Sequence, residues 1–212
     1  TDADANDVNL TTTAGDISVG TINAGSAGDA TLNAAANITD DGSALTVLAA
    51  DVLTADAAGS VTLDTTVASA DISTSAAGGV DIDETDAIVL TDVDTSDGAV
   101  TVDAGGQITA TDVDSSATDD NTNDITLTST GAGIEAQLVV AGTNNDVTLD
   151  AQGGAITENG DPAADVVGDV LTADAAGSVT LDTTVASADI STSAAGDVDI
   201  DETDAIVLTD VD

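Results

Sequence analysis

Short segments in which apolar and polar residues alternate recur along the whole chain. Apolar-x-apolar triplets begin at Val8, Ala30, Val61, Val80, Val100, Ile125, Val147, Val179 and Val198, at steps of 19 to 32 residues. An Ile follows most of them eight or nine residues later, at Ile17, Ile38, Ile88, Ile108, Ile134, Ile156 and Ile206, often with Gly or Asn in between. Alternation such as Val80-Asp81-Ile82-Asp83 is the mark of a strand with one buried face. Nothing sustains a helical period, and Val, Ile and Thr favour strands. Each step reads as strand, tight turn, strand and a more variable return. Strand segments recurring at this spacing suit a β-solenoid, in which each coil stacks on the previous one about 4.8 Å away.

A longer repeat encloses this rhythm. Residues 51–94 return at 169–212, an offset of 118, with one difference in 44 positions, Gly79 against Asp197. More loosely, 6–11 align with 123–128 and 29–32 with 146–149, both at an offset of 117. The chain therefore reads as one tandem copy at 1–117 and an incomplete second at 118–212, wound as one continuous solenoid. It begins without Met and stops within the second copy, as expected of a window on a longer array. Five or six coils per copy would rise roughly 25–30 Å. The expected fold is all-β, a right-handed parallel β-helix (β-solenoid) with coils of about 19–25 residues. The alternative is a string of β-sandwich domains, since about 118 residues also makes one sandwich. A sandwich needs no sub-rhythm of about 20 residues and usually holds a large core aromatic, whereas this chain has no aromatic residue.

The missing residue types remove whole chemistries. The 212 residues include no Lys, Arg, His, Cys, Met, Phe, Tyr or Trp. Without His or Cys there is no common proton shuttle near neutral pH, no thiolate, and no imidazole or sulfur ligand for zinc. Without Lys or Arg there is no Schiff base, no phosphate clamp and no cationic groove, so nucleic acid is not an expected partner. Carboxylate pairs can hydrolyse glycosides, but no pair stands out and no ring is present to hold a sugar. The expectation is that the chain is not an enzyme. Its apolar runs, such as Ala87 to Leu90, fall far short of the roughly 20 residues of a transmembrane helix, so membrane insertion is not expected either. With 42% apolar residues it is not expected to be disordered.

Forty-one acidic residues, four of them Glu, leave a net charge of −41 with no cation on the protein. If Val80 and Ile82 point inward, Asp81 and Asp83 point outward. Carboxylates on successive coils would then repel by roughly 0.8 kcal/mol per neighbouring pair in bulk water. Divalent cations, salt or low pH must offset this. Calcium suits a site of carboxylates and carbonyls. The candidate ligands are Asp81, Asp83 and Asp86 (with Glu84 between them), then Asp92, Asp94 and Asp97, and in the second copy Asp199, Asp201 and Asp204. None of these runs matches an EF-hand loop or the nonapeptide of calcium-binding β-rolls. Specific calcium sites, diffuse counter-ion binding and plain solvated Asp all remain open. Asn9 and Asn37 head glycosylation sequons, and Pro162 marks a loop.

Three stretches, Asp146 to Thr157, Asp29 to Thr39 and Val100 to Thr109, resemble filamentous-haemagglutinin-type repeats of large bacterial surface adhesins. The interval from Ala44–Val47 through Val52–Ala55 looks like the spacer coil of such arrays. The resemblance implies a right-handed parallel β-helix, export across a bacterial envelope, and a rod-like stalk or filament. The expected role is an extracellular structural rod, secreted or on the cell surface, whose partners are further copies or repeats of itself and divalent cations. The alternative is a calcium-dependent adhesin segment that binds glycans or another cell.

Overall fold

In the computed structural model, which describes residues 6–42, 48–160 and 163–212, the alternating segments form strands and no helix occurs among those residues. Among the described residues, twenty-one strands join in one sheet, and their pairings are parallel. The result is a β-solenoid of about nine turns. Sandwich domains pair their strands antiparallel, so that alternative is excluded. The first half of the suspected spacer, Ala44–Val47, and the loop at Pro162 lie outside the described residues.

Each coil carries three strands. One coil is Val100–Ala104, Ile108–Ala110 and Val113–Asp114, and the next is Ile125–Ser129, Ile134–Ala136 and Val139–Val140. The return that the sequence left irregular therefore contains a short third strand. Its inward residues, Val93, Val113, Val139 and Val166, stack and close the core. Where a corner has no extra residues the strand runs through it, as in Val61–Ala77 and Val179–Thr192. Stacked residues are separated by as few as 17 positions, Leu48 to Thr65, and as many as 27, Val139 to Val166, a wider range than the expected coil length.

The stacking also departs from the triplet count. Ala30 stacks on Leu53 rather than Val61, and Val61 stacks on Ile38. In the second copy Val147 stacks on Leu171, and Val179 on Ile156. The long steps of 31 and 32 residues are thus one coil plus one face, not one extended spacer coil. An apolar-x-apolar triplet specifies a strand with a buried side but not which face of the coil it occupies. Leu53, Ala55 and Ala57 supply the intervening buried positions, and the two alanines are too small to stand out in the pattern. Along one ladder Val61, Val80, Val100, Ile125, Val147 and Leu171 succeed each other, and Val179 opens the following face. One 118-residue unit winds five turns and one further face.

The core is a stack of single residues. Ile17, Ile38, Val61, Val80, Val100, Ile125, Val147, Leu171 and Ala188 form one continuous buried column. Fully burying a Val, Leu or Ile side chain stabilises by about 1.5–3 kcal/mol, so each added coil contributes several such increments. The same thinness fits a core without aromatic rings.

Neighbouring coils touch most closely at the corners. A Cβ on Gly105 would lie 2.0 Å from the carbonyl oxygen of Thr85 in the coil beneath. Backbone cannot swing aside like a side chain, so Gly105→Ala should destabilise the rod by about 1–3 kcal/mol. Denaturant unfolding followed by far-ultraviolet circular dichroism checks this, and an unchanged midpoint would mean that the corner relaxes freely.

Polar residues just ahead of an inward strand position tie one coil to the next. Asp16 Oδ1 accepts the Asn37 N–H at 2.9 Å, and Asn37 Oδ1 accepts the Ser60 N–H at 2.9 Å. Asp124 accepts the Asp146 N–H at 2.9 Å, Asp146 the Val170 N–H at 3.2 Å, and Ser178 Oγ the Asp197 N–H at 3.1 Å. The corners at 115–124 and 141–146 are joined by a buried pair: Asn145 Oδ1 accepts the Asn123 N–H at 3.0 Å, and Asn145 Nδ2 donates to the Ala141 carbonyl at 2.9 Å.

Candidate functional site

Strand parity puts Val80 and Ile82 in the core and turns Asp81 and Asp83 outward. Asp83 stacks in register between Asp64 and Asp103, so three carboxylates from successive coils form one ladder, with Asp81 beside it. A second ladder lies on the third strand of the coil. There Asp71 pairs with Asp92 and Asp94 with Asp114, with Asp112 adjacent. The remaining candidates stand apart. Asp97 takes a long 3.5 Å bond from Asn123 Nδ2, and Asp86 sits at a corner where its N–H donates to Glu84 at 2.9 Å. In the second copy Asp199 and Asp201 face outward above Thr180 and Asp182, and the Asp204 N–H donates to Glu202 at 3.4 Å.

The carboxylates gather across coils more than along the chain. Asp64, Asp103, Asp71, Asp112 and Asp114 were absent from the sequence-based set, which looked for ligands within one loop. Their signal was a recurrence of Asp at about one coil length, 19 to 21 residues apart.

Crowding without any cation changes how these groups ionise. Burial, then the charges of Asp40 and Asp83, holds the Asp64 carboxyl above its ordinary 3.8. Burial, followed by Asp83, Asp103 and Asp40, does the same to Asp81. On the second ladder Asp71, Asp94 and Asp112 are raised by burial first and then by the neighbouring carboxylates, Asp92 among them in each case. Asp146 is raised by burial and by Asp124. Asp119 moves the other way: its carboxylate accepts from Thr143 Oγ1 at 2.8 Å and from the Asn144 N–H at 2.8 Å, and the Thr143 bond is the leading cause.

The acid that lies between the candidate ligands Asp83 and Asp86 in the sequence is structural. Glu84 is 4% exposed and points inward. Its Oε2 accepts from Thr65 Oγ1 at 2.8 Å and the Val67 N–H at 2.9 Å, while Oε1 accepts from the Asp86 N–H at 2.9 Å. Glu202, its counterpart, makes matching bonds to Thr183 Oγ1 and the Val185 N–H.

Among the described residues, Glu158, Asp165 and Asp182 bring carboxylate oxygens within 4.8 Å of one another, and Asp165 is 1% exposed. These are oxygen donors of the kind a hard divalent cation takes. None of the three was in the sequence-based set, because they come from three separate segments. An open groove of about 460 Å³ is lined in part by Ala49, Ala50, Asp51, Ala68, Asp86 and Ala87. Of the two sequons, Asn37 has its amide held between Asp16 and Ser60, whereas Asn9 is exposed.

These features define a β-solenoid with outward carboxylate ladders and a core of small aliphatic residues. No protein-family model, no curated protein and no solved structure matches the chain. The β-helical architecture implied by the haemagglutinin-type resemblance holds, while membership of that family has no match to support it. No helix among the described residues is long and apolar enough to cross a membrane.

Proposed function

We propose that the chain is a segment of an extracellular structural rod, a stalk or filament at the cell surface, whose carboxylate ladders are screened by cations from the medium. The observation that carries this reading is the uninterrupted stack of about nine turns bearing a net charge of −41. Such a stack lengthens by adding coils, each of which contacts only its neighbours. Its partners are further copies or repeats of the same chain and divalent cations, and the absence of Lys and Arg leaves no trypsin-type cleavage site on an exposed fibre. Antibody labelling of intact source cells tests the location: surface labelling is expected, and labelling only after permeabilisation would overturn it.

The cation part has its own test. In low salt, millimolar Ca²⁺ should raise the thermal midpoint, read by circular dichroism, and a chelator should reverse the gain. Equal gains from Ca²⁺ and Mg²⁺ would mark diffuse screening; a Ca²⁺ gain abolished by Asp165→Asn would mark a specific site. The adhesin reading draws on the Glu158, Asp165 and Asp182 group. It requires binding to glycans or cells that chelation removes while the fold remains intact.

A further inference from the structure

Equivalent turns in the two copies carry Asp41-Gly42 and Asn159-Gly160. Strand Ile38–Asp40 runs into the first turn, and strand Ile156–Thr157 leads through Glu158 into the second. Ile38 stacks on Val61 and Ile156 on Val179, which sets residues 40–42 against 158–160. Both glycines have a positive φ, 71° at Gly42 and 85° at Gly160. In both turns the Gly N–H donates to the acid two residues before it. Gly42 donates to Asp40 Oδ1 at 2.7 Å, and Gly160 to Glu158 Oε2 at 3.1 Å. The same turn therefore holds an Asp in the first copy and Asn159 in the second.

A backbone nitrogen can attack the side-chain carbonyl of the residue before it, and Gly hinders that approach least because it has no Cβ. Of the ten asparagines in the chain, only Asn159 is followed by Gly. Asn159 and Gly160 are exposed, and nothing lies within 4 Å of where a Gly160 Cβ would stand, so ring closure meets no packed neighbour. Asn123 and Asn145, by contrast, are buried and hydrogen-bonded, and the Asn37 amide is held between Asp16 and Ser60. Glu158 adds what the attack also needs, a proton acceptor at the N–H that must be lost.

We propose that Asn159 is a self-modifying site: the Gly160 nitrogen attacks its Cγ, Glu158 accepts the Gly160 proton, and the side chain ends as a carboxylate. The bond from the Gly160 nitrogen to Cγ forms as the Cγ–Nδ2 bond breaks. Nδ2 leaves as ammonia with the proton that Glu158 took, and a succinimide ring remains. Water then opens the ring at either carbonyl to give Asp or isoaspartate, and nothing is oxidised or reduced. The Asp product reproduces the turn of the first copy. There Asp41 is one of the charges that bear on Asp64. Asp182 is the counterpart of Asp64, so the new charge falls on the group of Glu158, Asp165 and Asp182. Each conversion adds one negative charge to the −41 of the chain.

Incubating the full chain in neutral buffer made with heavy-oxygen water tests the proposal by peptide mass spectrometry. Heavy oxygen should enter at position 159 and leave the other asparagines unlabelled. Glu158→Gln should slow the labelling about tenfold in the folded rod, a modest share of what a positioned base supplies. In denaturant, where no carboxylate is held at the Gly160 N–H, the two chains should label at the same rate. Asn159→Asp, the product, should keep the wild-type circular dichroism, because Asp41 already fills that place in the first copy. No label at 159 in the wild type, or label spread equally over the other asparagines, would overturn the site. Equal rates for the wild type and Glu158→Gln in the folded rod would overturn the part played by Glu158.

Discussion

Glu84→Ala is expected to destabilise the rod by about 4 kcal/mol. The substitution strands the buried Val67 N–H and Thr65 hydroxyl, each unsatisfied buried group costing about 1–3 kcal/mol, and it also removes the acceptor of the N–H of Asp86, an exposed residue. The hydroxyl can rotate toward another acceptor; the backbone groups cannot. Glu84→Gln should fall between the two, because one amide oxygen can still serve Thr65 and Val67 while the NH₂ confronts the Asp86 N–H. The chain carries its own control. Glu202 makes the same contacts in the last coil but is only half-buried, so water can replace its bonds. Glu202→Ala should therefore cost clearly less than Glu84→Ala. Unfolding followed by far-ultraviolet circular dichroism measures both, since no aromatic residue reports by fluorescence. Equal losses at the two sites would show that burial is not what makes Glu84 matter.

The second large effect is a gain in stability on mild acidification. Asp64, Asp71, Asp81, Asp94, Asp112 and Asp146 all bind protons more tightly in the folded chain than at their ordinary 3.8. A group raised in this way contributes stability that is fully present below the ordinary value and is lost as pH rises through the folded one. Going from pH 7 down to about 4 therefore restores it, the reverse of the usual acid sensitivity of paired carboxylates. Asp119 opposes this only at lower pH, since its stabilisation persists above the ordinary value and disappears as pH falls through its lowered one. The thermal midpoint at about 10 mM salt should be higher at pH 4 than at pH 7. In about 1 M salt, where the screening length shrinks from roughly 30 Å to 3 Å, the part due to neighbouring carboxylates should vanish and the part due to burial should remain. A midpoint that falls on acidification at low salt would show that the ladders do not repel enough to matter.

The period-two pattern was enough to specify the longer strands and their buried sides, though not two-residue third strands such as Val113–Asp114 and Val139–Val140. Val80, Ile82, Val100, Val102, Ile125 and Leu127 all point inward, as their alternation requires. The face each strand occupies was less legible, because that depends on how many residues each corner absorbs. At Leu53 and Leu171 the inward alternation continues mostly through Ala, which packs well here but is a weak hydrophobic signal. Glu84 is a different kind of miss. Counting from Val80, parity already puts position 84 inside, yet its acidity grouped it with Asp81 and Asp83. The partners of those aspartates, Asp64 and Asp103, lie a full coil away along the chain and directly adjacent in space.

The unit's winding of five turns and one face gives a tandem array a pitch of its own. Each copy is indexed one face around the axis from the one before, like successive lobes on a camshaft. A given ladder would point in three directions in turn and return to its starting bearing every third copy, roughly 77 Å further along at ~4.8 Å per turn. No side of such a shaft would be the acidic side. A flat partner would engage every third copy, while ions approaching from any direction would meet the same averaged charge.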